Sequence, residues 1–73
     1  MSNIKLKKWL INLHKEKKKP LDFDEIVEES IFYFGKTPKL NEKVQLIETY
    51  KALINENKLI FDNGVTYLPK KSI

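Results

Sequence analysis

The chain has 73 residues, which is enough for one domain with one small core. It contains no cysteine, which excludes disulfides and thiolate metal sites. The longest uncharged stretch near its start, Trp9 to Leu13, is too short for the apolar region of a signal peptide or for a membrane span. We therefore expect a soluble, cytoplasmic protein.

All 14 basic residues are lysines, and they are unevenly distributed. Residues 1–19 carry seven lysines against Glu16, a net charge of +6, whereas residues 20–35 carry five acidic residues and no lysine, a net charge of −5. The remainder, with seven lysines against four acidic residues, has a net charge of +3. Because a basic segment beside an acidic one neutralises part of its own charge, the total of +4 overstates the attraction to nucleic acid.

Two helices are predicted in the first half of the chain. In the first, at about 3–18, apolar residues recur at helical spacing until Pro20 interrupts the pattern: Leu6, Trp9, Leu10 and Leu13. The second, at about 23–34, has Asp22 as its N-cap, Glu25 completing a capping-box pattern, and Gly35 as a left-handed terminator. We expect its buried stripe to contain Ile26, Val27, Ser30, Ile31 and Phe34.

A third helix and a hairpin are predicted in the second half. The helix, at about 41–57, has an apolar side that we expect to face inward: Val44, Leu46, Ile47, Tyr50, Leu53 and Ile54. Two strands, within a hairpin at about 58–68, flank Asn63-Gly64, a pair typical of a type I′ turn. Leu21, held extended beside Pro20, is predicted to add a short third strand. This order predicts an α+β fold, a small winged helix-turn-helix over residues 1–73. The alternative is an α+β mini-domain without helix-turn-helix geometry.

No catalytic or metal-binding set of residues can be assembled from this composition. His14 is the only histidine, and we expect it to be exposed near the end of the first helix. No Ser/His/Asp set or glycine-rich phosphate loop is present, so we predict neither an enzyme nor a cofactor. Four carboxylates, interpreted as a solvated face, leave open a divalent-metal or acid/base cluster, or docking on a basic partner or on the first helix: Asp22, Glu25, Glu28 and Glu29.

The lysines at the end of the first helix are the candidate nucleic-acid contacts: Lys15, Lys17, Lys18 and Lys19. The alternative is a solvated turn, since no aromatic residue is interleaved with these lysines to stack on bases. The third helix would enter the DNA groove, and its outward face is expected to hold Asn41, Gln45, Glu48, Thr49, Ala52 and Asn55. That face, with no cation at the wing tip Asp62-Asn63-Gly64, is poorly suited to tight DNA binding.

The order of these features is similar to that of a known family. The stretches KKPLDFDEIVEESIFYFG and LIETYKALINENKLIFDNGVTYL resemble the HARE-HTH winged-helix domain, and most closely the amino-terminal domains of the delta subunits of bacterial RNA polymerase. The matching positions are Lys18-Lys19 before Pro20, Phe23, Glu25-Ile26-Val27, Gly35, Tyr50, Leu53 and Lys58-Leu59-Ile60. Delta-type domains carry Trp-Gly-Leu where this chain has Tyr67-Leu68-Pro69, and delta subunits have a long acidic tail. The resemblance therefore indicates either a minimal delta-like protein or the folded domain alone.

The resemblance implies a non-catalytic accessory factor, expected to be monomeric, that docks on the RNA polymerase core. The candidate docking residues are Glu25, Glu28, Glu29, Phe32, Tyr33, Gln45 and Glu48. Phe32 and Tyr33 cannot both face inward with Ile31 and Phe34, so one of them is a candidate for a partner surface. The alternative is a DNA-binding winged-helix regulator of transcription, with weak, salt-dependent affinity supplied by the lysines.

Overall fold

The structure, a computed structural model, describes residues 4–69 of the chain. Its elements follow in the order α1 (Ile4–Lys17), β1 (Leu21–Asp22), α2 (Phe23–Phe34), α3 (Leu40–Asn55), β2 (Ile60–Asp62) and β3 (Val65–Tyr67). The strands form one antiparallel sheet in the order β1-β3-β2. This is the predicted small α+β winged helix-turn-helix, in which the β2–β3 hairpin is the wing. None of the helices within residues 4–69 has the length and apolar character needed to cross a membrane.

The short strand β1 leads directly into α2, as the sequence predicts. Leu21 pairs with Thr66 of β3, which confirms the third strand. The next residue, Asp22, is both the end of β1 and the N-cap of α2, and its side chain accepts a hydrogen bond of 2.8 Å from the Glu25 N–H. At the other end of α2, Gly35 adopts a left-handed φ of 73° and its N–H donates to the Ile31 carbonyl. Both predicted boundaries of this helix are confirmed.

Helix α3 begins one residue earlier and ends two residues earlier than predicted. At its start, the Glu42 carboxylate accepts a hydrogen bond of 2.9 Å from the Lys39 N–H, which satisfies a backbone donor that the helix leaves free. At its end, Asn57 adopts a left-handed φ of 62°. Its N–H donates to the Ile54 carbonyl while the Lys58 N–H donates to the Leu53 carbonyl. This pair of bonds is a Schellman motif, and its two donors are Asn57, predicted to end the helix, and Lys58, predicted to begin β2.

The wing closes through the predicted Asn-Gly turn. Asn63 and Gly64 both have positive φ, 55° and 82°, as a type I′ turn requires. Asp62 and Val65 are paired directly before and after this turn. The hairpin register therefore follows from two adjacent residues.

The core is a compact leucine-rich cluster between the helices and the sheet. Its buried members are Leu6, Leu10, Leu13, Leu21, Ile26, Leu46, Tyr50, Leu53 and Leu59. The ring of Phe23 meets that of Tyr50 edge-on, with 5.2 Å between centroids, and so joins α2 to α3. Thr49 was expected to face outward, but it is buried, and its hydroxyl donates to the Gln45 carbonyl at 2.8 Å.

Three apolar residues that were expected to face inward are exposed instead: Ile31, Val44 and Ile47. The reason is the size of the domain. A chain of 73 residues is too small to cover every face of three helices, so the apolar positions at the edge of a broad helical stripe stay in solvent.

His14 is buried, contrary to the expectation that it lies exposed at the helix end; only 3% of its surface is accessible. The spacing of four residues from Leu10 places it on the core face of α1. Its Nδ1 lies 2.7 Å from the Leu10 carbonyl oxygen, which only accepts, so Nδ1 carries the proton. In the neutral ring Nε2 is then an acceptor, and the Thr66 hydroxyl donates to it at 2.9 Å.

Removing the Thr66 hydroxyl is expected to destabilise the fold. In Thr66→Val the His14 Nε2 loses its partner within the core, and a buried polar atom without a partner costs about 1–3 kcal/mol. Urea denaturation measures the free energy of unfolding. The matched control, Thr37→Val at an exposed position, should change that free energy by less than about 0.5 kcal/mol. Equal stability of the two variants would contradict the role given to the His14–Thr66 contact.

Candidate functional site

Two of the four candidate nucleic-acid lysines are paired with the acidic face of α2. Lys17 Nζ lies 3.2 Å from Glu29 Oε2, and Lys19 Nζ lies 3.1 Å from Glu25 Oε2. The acidic face of α2 therefore docks in part on the end of the first helix, one of the alternatives that the sequence left open. Because all four side chains are partly exposed, each pair contributes at most about 1 kcal/mol to stability. Their charges are nevertheless partly neutralised.

The other two lysines, Lys15 and Lys18, are exposed and form no ion pair with residues 4–69. Lys18 also has a left-handed backbone, with φ of 55°, and its N–H donates to the His14 carbonyl at 3.1 Å beyond the end of α1. A residue with a Cβ in this conformation costs about 1–2 kcal/mol. A glycine or asparagine would fit the position better.

These lysines border an open groove of about 500 Å³, here called the lysine groove. It lies between the end of α1 and the end of β3, and its lining residues are His14, Lys15, Lys18, Lys19, Pro20, Tyr67 and Leu68. Tyr67 comes from the wing, so the fold places an aromatic ring among lysines that have no aromatic neighbour in the sequence. Three of the four predicted nucleic-acid lysines line this groove, but the contribution of Tyr67 was missed because the contact between α1 and β3 is not visible in local sequence.

A second surface, here called the α3 stripe, consists of Leu40, Val44 and Ile47. Their exposed fractions are 78%, 44% and 36%. Spacings of four and three residues place them on one face of the helix. Four residues predicted to be outward, Asn41, Gln45, Glu48 and Asn55, are exposed, and Ala52 is half-buried. The outward side of α3 therefore combines the expected polar residues with an apolar strip, of which Val44 and Ile47 were expected to face inward and Leu40 was placed before the helix.

The residues predicted to dock on a partner are spread over α2 and α3. Phe32 is 80% exposed. Tyr33 is half-buried, and its ring centroid lies 5.5 Å from that of Trp9 and 5.0 Å from that of Phe34. Phe32 is thus the exposed member of the pair. It lines a smaller pocket of about 360 Å³ between α1 and α2 with Trp9, Leu13, Glu16, Lys17 and Glu29.

The carboxylates of α2 do not form a metal site with their neighbours. Glu25 and Glu29 are turned to lysines, Asp22 is occupied as the N-cap, and Glu28 is exposed. Within residues 4–69 no cluster of three His, Asp or Glu side chains is placed to hold a metal ion.

Comparisons of the chain with protein families, with curated proteins and with solved structures find no significant match.

Burial lowers the pKa of His14 below its ordinary value of about 6.5, although the hydrogen bond to the Leu10 carbonyl opposes this by favouring the cation. The ring is therefore neutral near pH 7. The Glu42 carboxyl has a pKa lowered by the Lys39 N–H, so its titration begins below that of an ordinary carboxyl. Between pH 7 and pH 5, the folded chain therefore binds less proton at His14 than the unfolded chain does.

Acidification is expected to destabilise the protein. As the pH falls through about 6.5, His14 becomes protonated in the unfolded chain but stays neutral in the folded chain. The free energy of unfolding therefore falls by up to about 1.4 kcal/mol per pH unit. Urea denaturation at pH 7 and pH 5 measures this loss. His14→Gln is less stable at pH 7 but lacks the titrating group. A pH dependence of equal size in that variant would show that His14 is not its source.

Proposed function

We propose that this chain is a non-catalytic accessory factor of transcription, delta-like, that docks on the RNA polymerase core. The choice of partner rests on the resemblance to the HARE-HTH domains of delta subunits. The observation that supports docking is the α3 stripe, because it lies on the helix that a DNA-reading winged helix inserts into the major groove. In this domain that helix presents Leu40, Val44 and Ile47 to solvent.

An apolar strip on this helix favours a protein surface over DNA. Inserted into a groove, these side chains would approach base edges and phosphates without offering a hydrogen bond, and Glu48 beside them would be repelled by phosphate charge. The central part of a protein interface, by contrast, is apolar and depleted of charge. Ile54, seven residues after Ile47 on the same helix, is half-buried and packs against the core.

The polar residues beside the strip suit the margin of such an interface. Asn41, Gln45 and Glu48 are exposed on the same helix. The two amides can donate and accept hydrogen bonds, and the carboxylate can accept them. Two exposed lysines, Lys43 and Lys51, lie on α3 as well, so the surface offers both signs of charge. An apolar centre with a mixed polar margin is the usual anatomy of a protein–protein interface.

The experiment measures binding of the purified chain to core RNA polymerase at low salt by biolayer interferometry. The variant Leu40→Gln/Val44→Gln removes most of the strip while keeping good helix formers at exposed positions. We expect it to bind at least about tenfold more weakly, since residues at the centre of an interface each contribute about 1 kcal/mol or more.

A matched control exchanges an exposed apolar residue of α1 in the same way. Ile4→Gln, compared with Leu40→Gln alone, should leave polymerase binding unchanged. Thermal unfolding checks that all variants fold. The proposal is wrong if the unmodified chain fails to bind the core enzyme, or if Leu40→Gln/Val44→Gln binds as well as Ile4→Gln.

A further inference from the structure

We propose that the lysine groove binds single-stranded nucleic acid, with phosphates at Lys15 and Lys18 and one base against the ring of Tyr67. This inference does not rest on polymerase docking, because the groove shares no residue with the α3 stripe. It depends on the charge around the groove, the character of its floor and the backbone of Lys18.

The positive charge that stays uncompensated at the end of α1 is concentrated at the groove. Lys17 is turned to Glu29 and does not line it, whereas Lys15 and Lys18 line it and have no carboxylate partner within residues 4–69. Lys19 also lines it and is shared with Glu25. Exposed lysines grouped along one groove attract the phosphates of a nucleic acid strand.

The floor of the groove suits a base. Pro20 and Leu68 are apolar, and Tyr67 adds an aromatic ring whose face can stack on any base. A volume of about 500 Å³ lies in the range of small-molecule sites and can hold a nucleotide-sized group. Lysines around an apolar floor with one aromatic ring thus match the two parts of a nucleotide, the phosphate and the base.

The backbone conformation of Lys18 also supports a binding role for the groove. A lysine occupies a left-handed position where glycine would relieve strain, and its side chain lines the groove. Strained residues often serve a site rather than the stability of the fold. A lysine at this position adds positive charge to the groove, whereas a glycine would relieve the strain without adding charge.

The ring favours a single strand over two other anionic partners. A base in a duplex is already stacked on its neighbours, so a duplex would contact the lysines without using Tyr67. An acidic peptide would likewise pair with the lysines and gain little from the flat face of the ring. Dependence of binding on Tyr67 therefore separates a single strand from both.

The test is fluorescence anisotropy of the full chain with labelled eight-nucleotide single strands of DNA and of RNA, at about 0.1 M salt and over a range of salt concentrations. Binding of either strand supports the proposal. The competitors are the same sequence as a duplex, ATP, and a glutamate peptide of equal charge. A duplex, ATP or the peptide that binds as tightly as the strand would overturn it, as would the absence of strand binding at low salt.

Variants locate the site. In Lys15→Gln/Lys18→Gln we expect about a 25-fold loss at 0.1 M salt, about fivefold for each phosphate contact, together with a shallower salt dependence. The matched control, Lys43→Gln/Lys51→Gln, removes the same charge from α3 and should bind as the unmodified chain does. If the control loses as much affinity, the strand binds by overall charge or at α3 and the proposal is wrong.

Two further variants separate binding from folding. Tyr67→Leu should lose at least about fivefold in affinity, and Tyr67→Phe, which keeps the ring, should retain it. Lys18→Gly should raise the melting temperature because glycine accepts the left-handed backbone, yet weaken strand binding about fivefold. A Lys18→Gly protein that is more stable and binds equally well would show that this lysine does not contact the strand.

Discussion

The buried contact between His14 and Thr66 is the constraint on which the arrangement of the helices and the wing depends. Thr66 lies in the middle strand of the sheet, paired with Leu21 on one side and Phe61 on the other. Its single hydroxyl proton can go to His14 Nε2 at 2.9 Å or to the Leu21 carbonyl at 3.3 Å, and the same hydroxyl also bonds the Tyr50 side chain. While the imidazole is neutral, the Thr66 hydroxyl proton lies in the shorter of these two bonds, the one to Nε2. Helix α1 is thereby held against the centre of the sheet.

The same histidine sets the geometry of the lysine groove. Its side chain fixes α1 on β3, and its carbonyl accepts the hydrogen bond that turns the chain at Lys18. Because Tyr67 directly follows Thr66, the ring of the groove stands one residue from the point where the helix is anchored. Protonation of His14 would make Nε2 a donor and turn the Thr66 proton toward Leu21. The buried His14–Thr66 contact and the lysine groove at the surface therefore both depend on His14.

The parts of the fold that were predictable are those decided by a few adjacent residues. Asp22 and Gly35 mark the ends of α2, and Asn63-Gly64 marks the turn of the wing, because each acts through its own backbone or its immediate neighbours. His14 could not be placed in this way. A histidine in a lysine-rich turn is typical of an exposed position, and only the approach of Thr66 from the far end of the chain gives its second nitrogen a partner. The lysine groove depends on the same distant contact.

The α3 stripe poses a different question, since helical spacing alone does not tell a buried apolar residue from an exposed one. A small sheet leaves every helix of this domain with a wide uncovered face, and polar residues can fill it. Helix α1 does so on most of its outer face, where Lys5, Lys8 and Asn12 are exposed. The limit on core size therefore explains why Leu40 and Val44 are uncovered, but it does not require them to be apolar. Apolar side chains at these positions are what the proposed docking surface requires, because burial against a protein would remove them from water.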